Sequence, residues 1–166
     1  MRLPNRQPGK YTFQTYDKNL TQEKFDELQS KLERIIKITR PQAIKDVKLY
    51  AQNGDFSENA EYQIAKSRLR GLNRAIDEIR EQLKDVHIIQ PSKNTNTVQL
   101  GHKVKISSNN KEFTFQILGS SETNPSTGII SYSSPIGSAL MGKKVGDIVQ
   151  IKIQDKTIEY TILNIE

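Results

Sequence analysis

The stretch Gly54-Asp55-Phe56-Ser57-Glu58-Asn59-Ala60-Glu61-Tyr62 sets three carboxylates, Asp55, Glu58 and Glu61, within seven residues. Two uses suit them. Asp55-x-x-Glu58 has the spacing of a capping box, in which Asp55 accepts from a backbone N–H and Glu58 reaches back. Both anions also suit the positive end of a helix dipole. The same groups are the hard oxygen donors that Mg²⁺ takes one or two at a time, with water and substrate phosphate filling the rest of its shell. Two or three acids do not complete an octahedral shell. A metal held here would therefore be shared with ligands in a partner. The two uses are compatible: one carboxylate can cap while free and ligate when docked. Glu61, one turn into the following helix, reads as a surface or salt-bridge residue.

Beyond Glu61 no acid occurs until Asp77, while Lys66, Arg68, Arg70 and Arg74 intervene. Lys66, Arg70 and Arg74 recur at i, i+4 and i+8 and form a basic face. Like charges at this spacing cost a helix a few tenths of a kcal/mol each. A face built that way can follow a few phosphates leading away from the acids; an ordinary solvated face is the plain alternative. Lys45 and Lys48 would extend it. No ladder of aromatic residues accompanies the cations, which argues against an independent single-strand binder. His87 and His102 are isolated and read as ordinary residues, and the absence of cysteine removes disulfides and thiolate metal sites.

Two helical patterns must position these groups. Phe25, Leu28, Leu32, Ile35 and Thr39 step by 3, 4, 3 and 4 from a start near Thr21. Pro41 lacks an N–H and disfavours a helical Arg40, which predicts a kink or short break. Helical spacing resumes at Ile44, Val47 and Ala51, and Asn53-Gly54 reads as a stop. The second pattern runs through Tyr62, Ala65, Leu69, Leu72, Ile76, Ile79, Leu83 and Val86. Two such stripes on a short connection bury each other as an antiparallel hairpin. Residues 21–53 would span about 50 Å. A dimerising coiled coil is the competing reading, but the short turn and matched arms favour one chain.

The predicted domains are a flexible arm over 1–19, a coiled-coil hairpin over 20–90 with an acidic tip at 54–61, a linker over 91–96 and a second domain over 97–166. In the last, the period falls from about 3.5 to 2. Val104 and Ile106 alternate, as do Phe113, Phe115 and Ile117, then Val149, Ile151 and Ile153, then Ile158, Tyr160 and Ile162. Ser134-Pro135 leads into a short helix. The fold class is α+β: a helical hairpin plus a mostly antiparallel sheet with one helix. The 166 residues carry 25 Lys and Arg against 19 Asp and Glu, a net charge of +6 that permits nucleic-acid or acidic protein partners. No run approaches a membrane span and no apolar signal core opens the chain, so a cytoplasmic location fits.

The stretch GDFSENAEY, with Arg40-Pro41 before it and the cationic helix after it, resembles the tip of the bacterial GreA/GreB transcript-cleavage factors, the GreA branch above all. The stretch Ser131-Tyr132-Ser133-Ser134-Pro135-Ile136-Gly137-Ser138-Ala139-Leu140-Met141-Gly142-Lys143-Lys144-Val145-Gly146-Asp147 looks like the C-terminal signature of that family. The resemblance spans roughly residues 19–166. It implies an accessory factor, monomeric when free, that binds the bacterial RNA polymerase elongation complex. The coiled coil would enter the secondary channel, where Asp55 and Glu58 help hold a Mg²⁺ shared with the polymerase. The polymerase would then hydrolyse the backtracked RNA 3′ end. By the same resemblance, Phe56 and Asn59 position the tip, water or RNA, and Lys66, Arg68, Arg70 and Arg74 contact the nascent RNA 3′ segment. An FKBP-like C-terminal domain would dock through Ser133, Ser134 and Pro135, where Ser133 replaces the acidic or amide residue usual in the family. A factor that occupies the channel and only tunes the polymerase is the alternative.

Overall fold

The computed structural model describes residues 16–53, 59–92, 94–109, 111–153 and 156–166. Strand β1 (Asn19–Leu20) leads into helix α1 (Gln22–Arg34). Thr21 is the N-cap of α1, its side chain accepting from the Lys24 N–H at 3.2 Å. Helix α2 (Arg40–Tyr50) follows, and helix α3 (Ala60–Gln82) returns antiparallel. The base of the rod holds a core of Leu20, Leu28, Ile35, Ile76 and Ile79, with Leu32, Leu72, Ala75, Leu83 and Val86 against it.

Pro41 does not break the first arm. Residues Ile35–Thr39 form a π-helical turn in which the Arg40 N–H reaches the Ile35 carbonyl, five residues back. The π-turn ends just before Pro41, which then falls in the first turn of α2, where its missing N–H is tolerated. The π-turn also adds a residue to the period. Ile44, Val47 and Ala51 were the expected seam. Instead Ala43 is buried at 1% exposure, while Ile44 and Val47 are half-buried. Ala43 and Ala65 are both small and buried, which lets α2 and α3 approach closely.

Helix α3 stops at Gln82, short of the predicted Val86, because Asp85 takes a left-handed backbone (φ 54°). Leu83 and Val86 still pack on the rod core from outside the helix, so the apolar stripe outruns the helix that carries it. Strand β2 (His87–Ile88) then pairs in parallel with β1.

The second half is a five-stranded sheet in the order β5-β4-β3-β7-β6. Its strands are β3 (Lys103–Ser108), β4 (Lys111–Leu118), β5 (Ile129–Ser131), β6 (Ile148–Ile153) and β7 (Lys156–Ile165). Three of its four strand pairings are antiparallel, in line with the mostly antiparallel sheet expected, while β4 and β5 run parallel. Short helix α4 (Pro135–Leu140) packs on it, and Val98, Val104, Ile106, Ile117, Leu140 and Ile162 form the buried centre. Phe113, first of the alternating run Phe113, Phe115 and Ile117, is 40% exposed, stacks on Phe115 and meets Tyr160 edge-on.

Residues 17–21, which include the end of the predicted arm, join the two halves. Asp17 accepts from the Ser120 N–H at 2.8 Å and the Asn19 N–H at 3.0 Å. Glu122 accepts from the Thr21 N–H and Oγ1, each at 2.6 Å. Gly119 lies so close to the Asn19 carbonyl oxygen that a Cβ there would collide with it. His102 is fully buried, with Nε2 at 2.9 Å from the Ser92 carbonyl and Nδ1 accepting from the Gln99 N–H at 3.3 Å, which pins the predicted linker to the sheet domain.

Candidate functional site

The cap of α3 is Asn59. Its Oδ1 accepts from the Tyr62 N–H at 2.9 Å, and its Nδ2 donates to the Tyr50 carbonyl at 2.9 Å. One amide therefore satisfies an orphan N–H of α3 and ties that helix to the last carbonyl of α2. This corrects the capping-box reading, since Asn59, and not Asp55, stands at the N-cap. Asp55, Phe56 and Glu58 lie outside the described residues. Asn59 was expected to position the tip; both ends of its amide are spent on the hairpin itself, so it is not a free metal ligand.

Glu61 is exposed and lines a shallow cleft of about 260 Å³ with Asp46, Tyr50, Ile64, Ala65 and Arg68. Among the described residues no group of three or more His, Asp or Glu side chains is placed to hold a metal. The predicted ligands Asp55 and Glu58 are not among those residues. Their carboxylates are the donor type Mg²⁺ prefers.

The four predicted cations of α3 separate into two groups. Lys66 is half-buried with its Nζ 5.4 Å from the Tyr62 ring centroid, a cation–π arrangement that fixes its direction. Arg70 and Arg74 are exposed on the same side. Arg68, about 200° round the helix from Lys66, projects from the other flank of the apolar stripe. There its Nη1 lies 3.6 Å from the Asp46 carboxylate. Lys45 and Lys48 are exposed on α2.

At the far end of the molecule, Ser134 is the N-cap of α4, accepting from the Gly137 N–H at 3.0 Å and donating to the Ser131 carbonyl at 2.7 Å. Ser133 and Pro135 are exposed, and the Ser133 hydroxyl meets that of Ser131 at 2.7 Å. A Cβ at Gly137 would strike the Ser131 carbonyl, so glycine is what lets the helix sit against this loop. These hydrogen bonds hold the loop together and leave Ser133 and Pro135 at the surface. Among the described residues, no helix is long and apolar enough to cross a membrane.

Sequence reasoning missed Asn73 and Arg80, and read Arg40 as the residue disfavoured by Pro41 and as part of the motif before the tip, with no partner across the arms. Arg40 Nε donates to Asn73 Oδ1 at 2.8 Å across the arms, and both line a cleft with Arg80. A signal was present: Lys66, Arg70, Asn73, Asp77 and Arg80 step by 4, 3, 4 and 3, one face of one helix.

Comparison with known proteins agrees across both halves. Residues 18–88 match the family model of the transcription elongation factor N-terminal domain, and residues 92–166 that of the GreA/GreB C-terminal domain. The transcription elongation factor GreA of Thermodesulfovibrio yellowstonii is 39% identical over 149 residues, covering 88% of this chain and 94% of that protein. GreA of Pelobacter propionicus is 35% identical over 150 residues, covering 89% of this chain and 95% of that protein. Among solved structures, the GreA factor homolog Gfh1 of Thermus thermophilus aligns at 22% identity over 89% of this chain and 97% of that one, with a TM-score of 0.40. On the matches to both domains and the identity to relatives of nearly equal length, this chain belongs to the GreA/GreB family of transcription elongation factors.

Proposed function

We propose that this chain binds the bacterial RNA polymerase elongation complex, inserts its helical hairpin into the secondary channel and stimulates hydrolysis of the backtracked RNA 3′ end. The observation that carries this reading is the pair of hydrogen bonds made by the Asn59 side chain. Because Asn59 caps α3 and holds Tyr50, the capping duty that competed for Asp55 and Glu58 is already met. In the sequence both acids fall between Tyr50, the end of α2, and Asn59, the cap of α3. The first arm's helical residues 22–50 run about 43 Å, a reach suited to delivering two carboxylates into a deep cavity.

Asp55 and Glu58 would hold a Mg²⁺ together with acids of the polymerase. Bound there, such an ion makes a water a better nucleophile and offsets charge at phosphorus. Lys66, Arg70 and Arg74 would attract the RNA backbone on the side of the rod they share. The exposed Ser133 and Pro135 would meet the channel rim, with Ser134 shaping the loop from within. The factor contributes groups and the polymerase performs the reaction.

The test is a stalled, backtracked complex with end-labelled RNA, given wild type or the Asp55→Ala/Glu58→Ala variant, with and without Mg²⁺. Shortening of the RNA by wild type with Mg²⁺, lost in the variant while polymerase binding persists, is the expected result. Channel occupancy without shortening by wild type would replace this reading with that of a binding-only regulator.

A further inference from the structure

Where the π-turn widens the first arm, a cleft of about 460 Å³ opens between the arms, lined by Ile36, Arg40, Asn73, Ile76, Asp77 and Arg80. Its floor is apolar: Ile76 is buried, and Ile36 is 37% exposed. Its rim carries two guanidinium groups. Arg40 spends its Nε on Asn73, a neutral partner that leaves the charge uncompensated. Neither Arg40 nor Arg80 forms an ion pair with a described carboxylate, although Asp77 lines the same cleft. The cleft also continues the row that begins at Lys66 and Arg70, since Asn73, Asp77 and Arg80 follow on that face of α3.

We propose that this cleft is a second nucleotide subsite for single-stranded RNA, distal to the tip, an inference that rests on the RNA-directed reading of the basic face. The phosphate would lie between Arg40 and Arg80, and a base or ribose would cover Ile36 and Ile76. Asp77 repels a phosphate placed beside it and accepts from a ribose 2′-hydroxyl, which favours RNA over DNA or free phosphate. Asn73 and Asp77 are about 21 and 27 Å along α3 from Asn59. At about 3.4 Å per stacked nucleotide, that is roughly six to eight nucleotides from the tip. RNA backtracked by only a few nucleotides would not reach it.

The test is direct binding of fluorescent oligoribonucleotides of about twelve and about four nucleotides to the full chain at low salt, with wild type, Arg80→Ala and Arg80→Glu. Arg80 is exposed, so neither change disturbs the core. The Glu variant should weaken the longer RNA by about three- to tenfold, leave the shorter one unchanged and reduce the salt dependence by about one counterion. Equal affinity of wild type and variant for the longer RNA, or no binding of it by wild type, overturns the subsite. Factor-stimulated cleavage by the polymerase is read alongside on short and long backtracks. Loss of cleavage on short backtracks by wild type strikes the proposed function, whereas a long-backtrack rate untouched by Arg80→Glu strikes the subsite alone.

Discussion

Asn59 performs two tasks with one amide, and conservative changes separate them. Asn59→Asp keeps an oxygen for the Tyr62 N–H but loses the donor to the Tyr50 carbonyl; Asn59→Ala loses both. The Ala variant should cost about 1–2 kcal/mol by loss of the cap. Denaturant unfolding, with hydrogen exchange at the start of α3, reads the cost. The Asp variant should keep most of that protection yet stimulate cleavage poorly, because the tie between the arms is gone. Full cleavage by Asn59→Asp would show that the tie is dispensable. The cations divide in the same way. Arg70→Ala should weaken cleavage of long backtracked RNA several-fold, whereas Arg68→Ala should have little effect there, since Arg68 faces Asp46 on the other flank. Equal losses, measured as cleavage rates side by side, would mean that RNA contacts both flanks of the rod.

The element that decides the shape of the rod is the π-turn at Ile35–Thr39. A proline inside a regular helix costs about 3 kcal/mol, from a lost hydrogen bond and a clash with the carbonyl four residues back. Here Pro41 follows the π-turn and occupies the first turn of α2, where a missing N–H costs least. Pro41→Ala should therefore stabilise the protein by well under 3 kcal/mol, as read from the denaturant midpoint at unchanged slope. A gain near 3 kcal/mol would show that the proline strains the helix after all. The turn also sets which residues meet α3. A strict heptad continued from Ile35 would bring polar Gln42 and Asp46 onto the seam, while the added residue brings Ala43 and Val47. The sequence announced a disturbance at Pro41. It did not announce the direction, because a kink, a break and a π-turn all answer the same missing N–H.

For the whole molecule, the joint at Asp17, Thr21, Gly119 and Glu122 couples the rod to the sheet domain. Burial works to raise the Asp17 carboxyl, but hydrogen bonds from the backbone and side chains of Ser120 and Asn19 outweigh it and hold it below its ordinary value of 3.8. A depressed folded-state value means that the contribution of Asp17 is present above the unfolded-state value and is lost as pH falls through the folded one. The Ser120 amide should thus lose exchange protection as pH falls below about 3.8. In Asp17→Asn that acid-dependent step should vanish and protection at neutral pH should be lower. An unaltered step would place its origin elsewhere. Gly119→Ala should open the joint while leaving each half folded, because its Cβ meets the Asn19 carbonyl. Limited proteolysis near residues 16–21 together with a two-step unfolding curve would report it; a single transition with wild-type protection would not fit.

The sequence by itself determined the helical hairpin, the change to a β-rich second half, the Thr21 start, the Ser134-Pro135 helix entry and the family. Each is written in local order: apolar residues at period 3.5 or 2, capping side chains, and two motifs that survive without their surroundings. Tertiary structure decided what depends on groups distant in the chain. The seam passes to Ala43 because α3 packs against a first arm widened by the π-turn. Asn59 replaces Asp55 as the cap because the Tyr50 carbonyl lies within reach of its amide. Arg68, off the face of Lys66, Arg70 and Arg74 by its spacing, finds Asp46 as its partner, and Arg40 joins Asn73 and Arg80 across the arms. Period and propensity say which face of a helix is apolar. Only the packed partner says which polar group on its flank finds a counterpart and which stays open to a ligand.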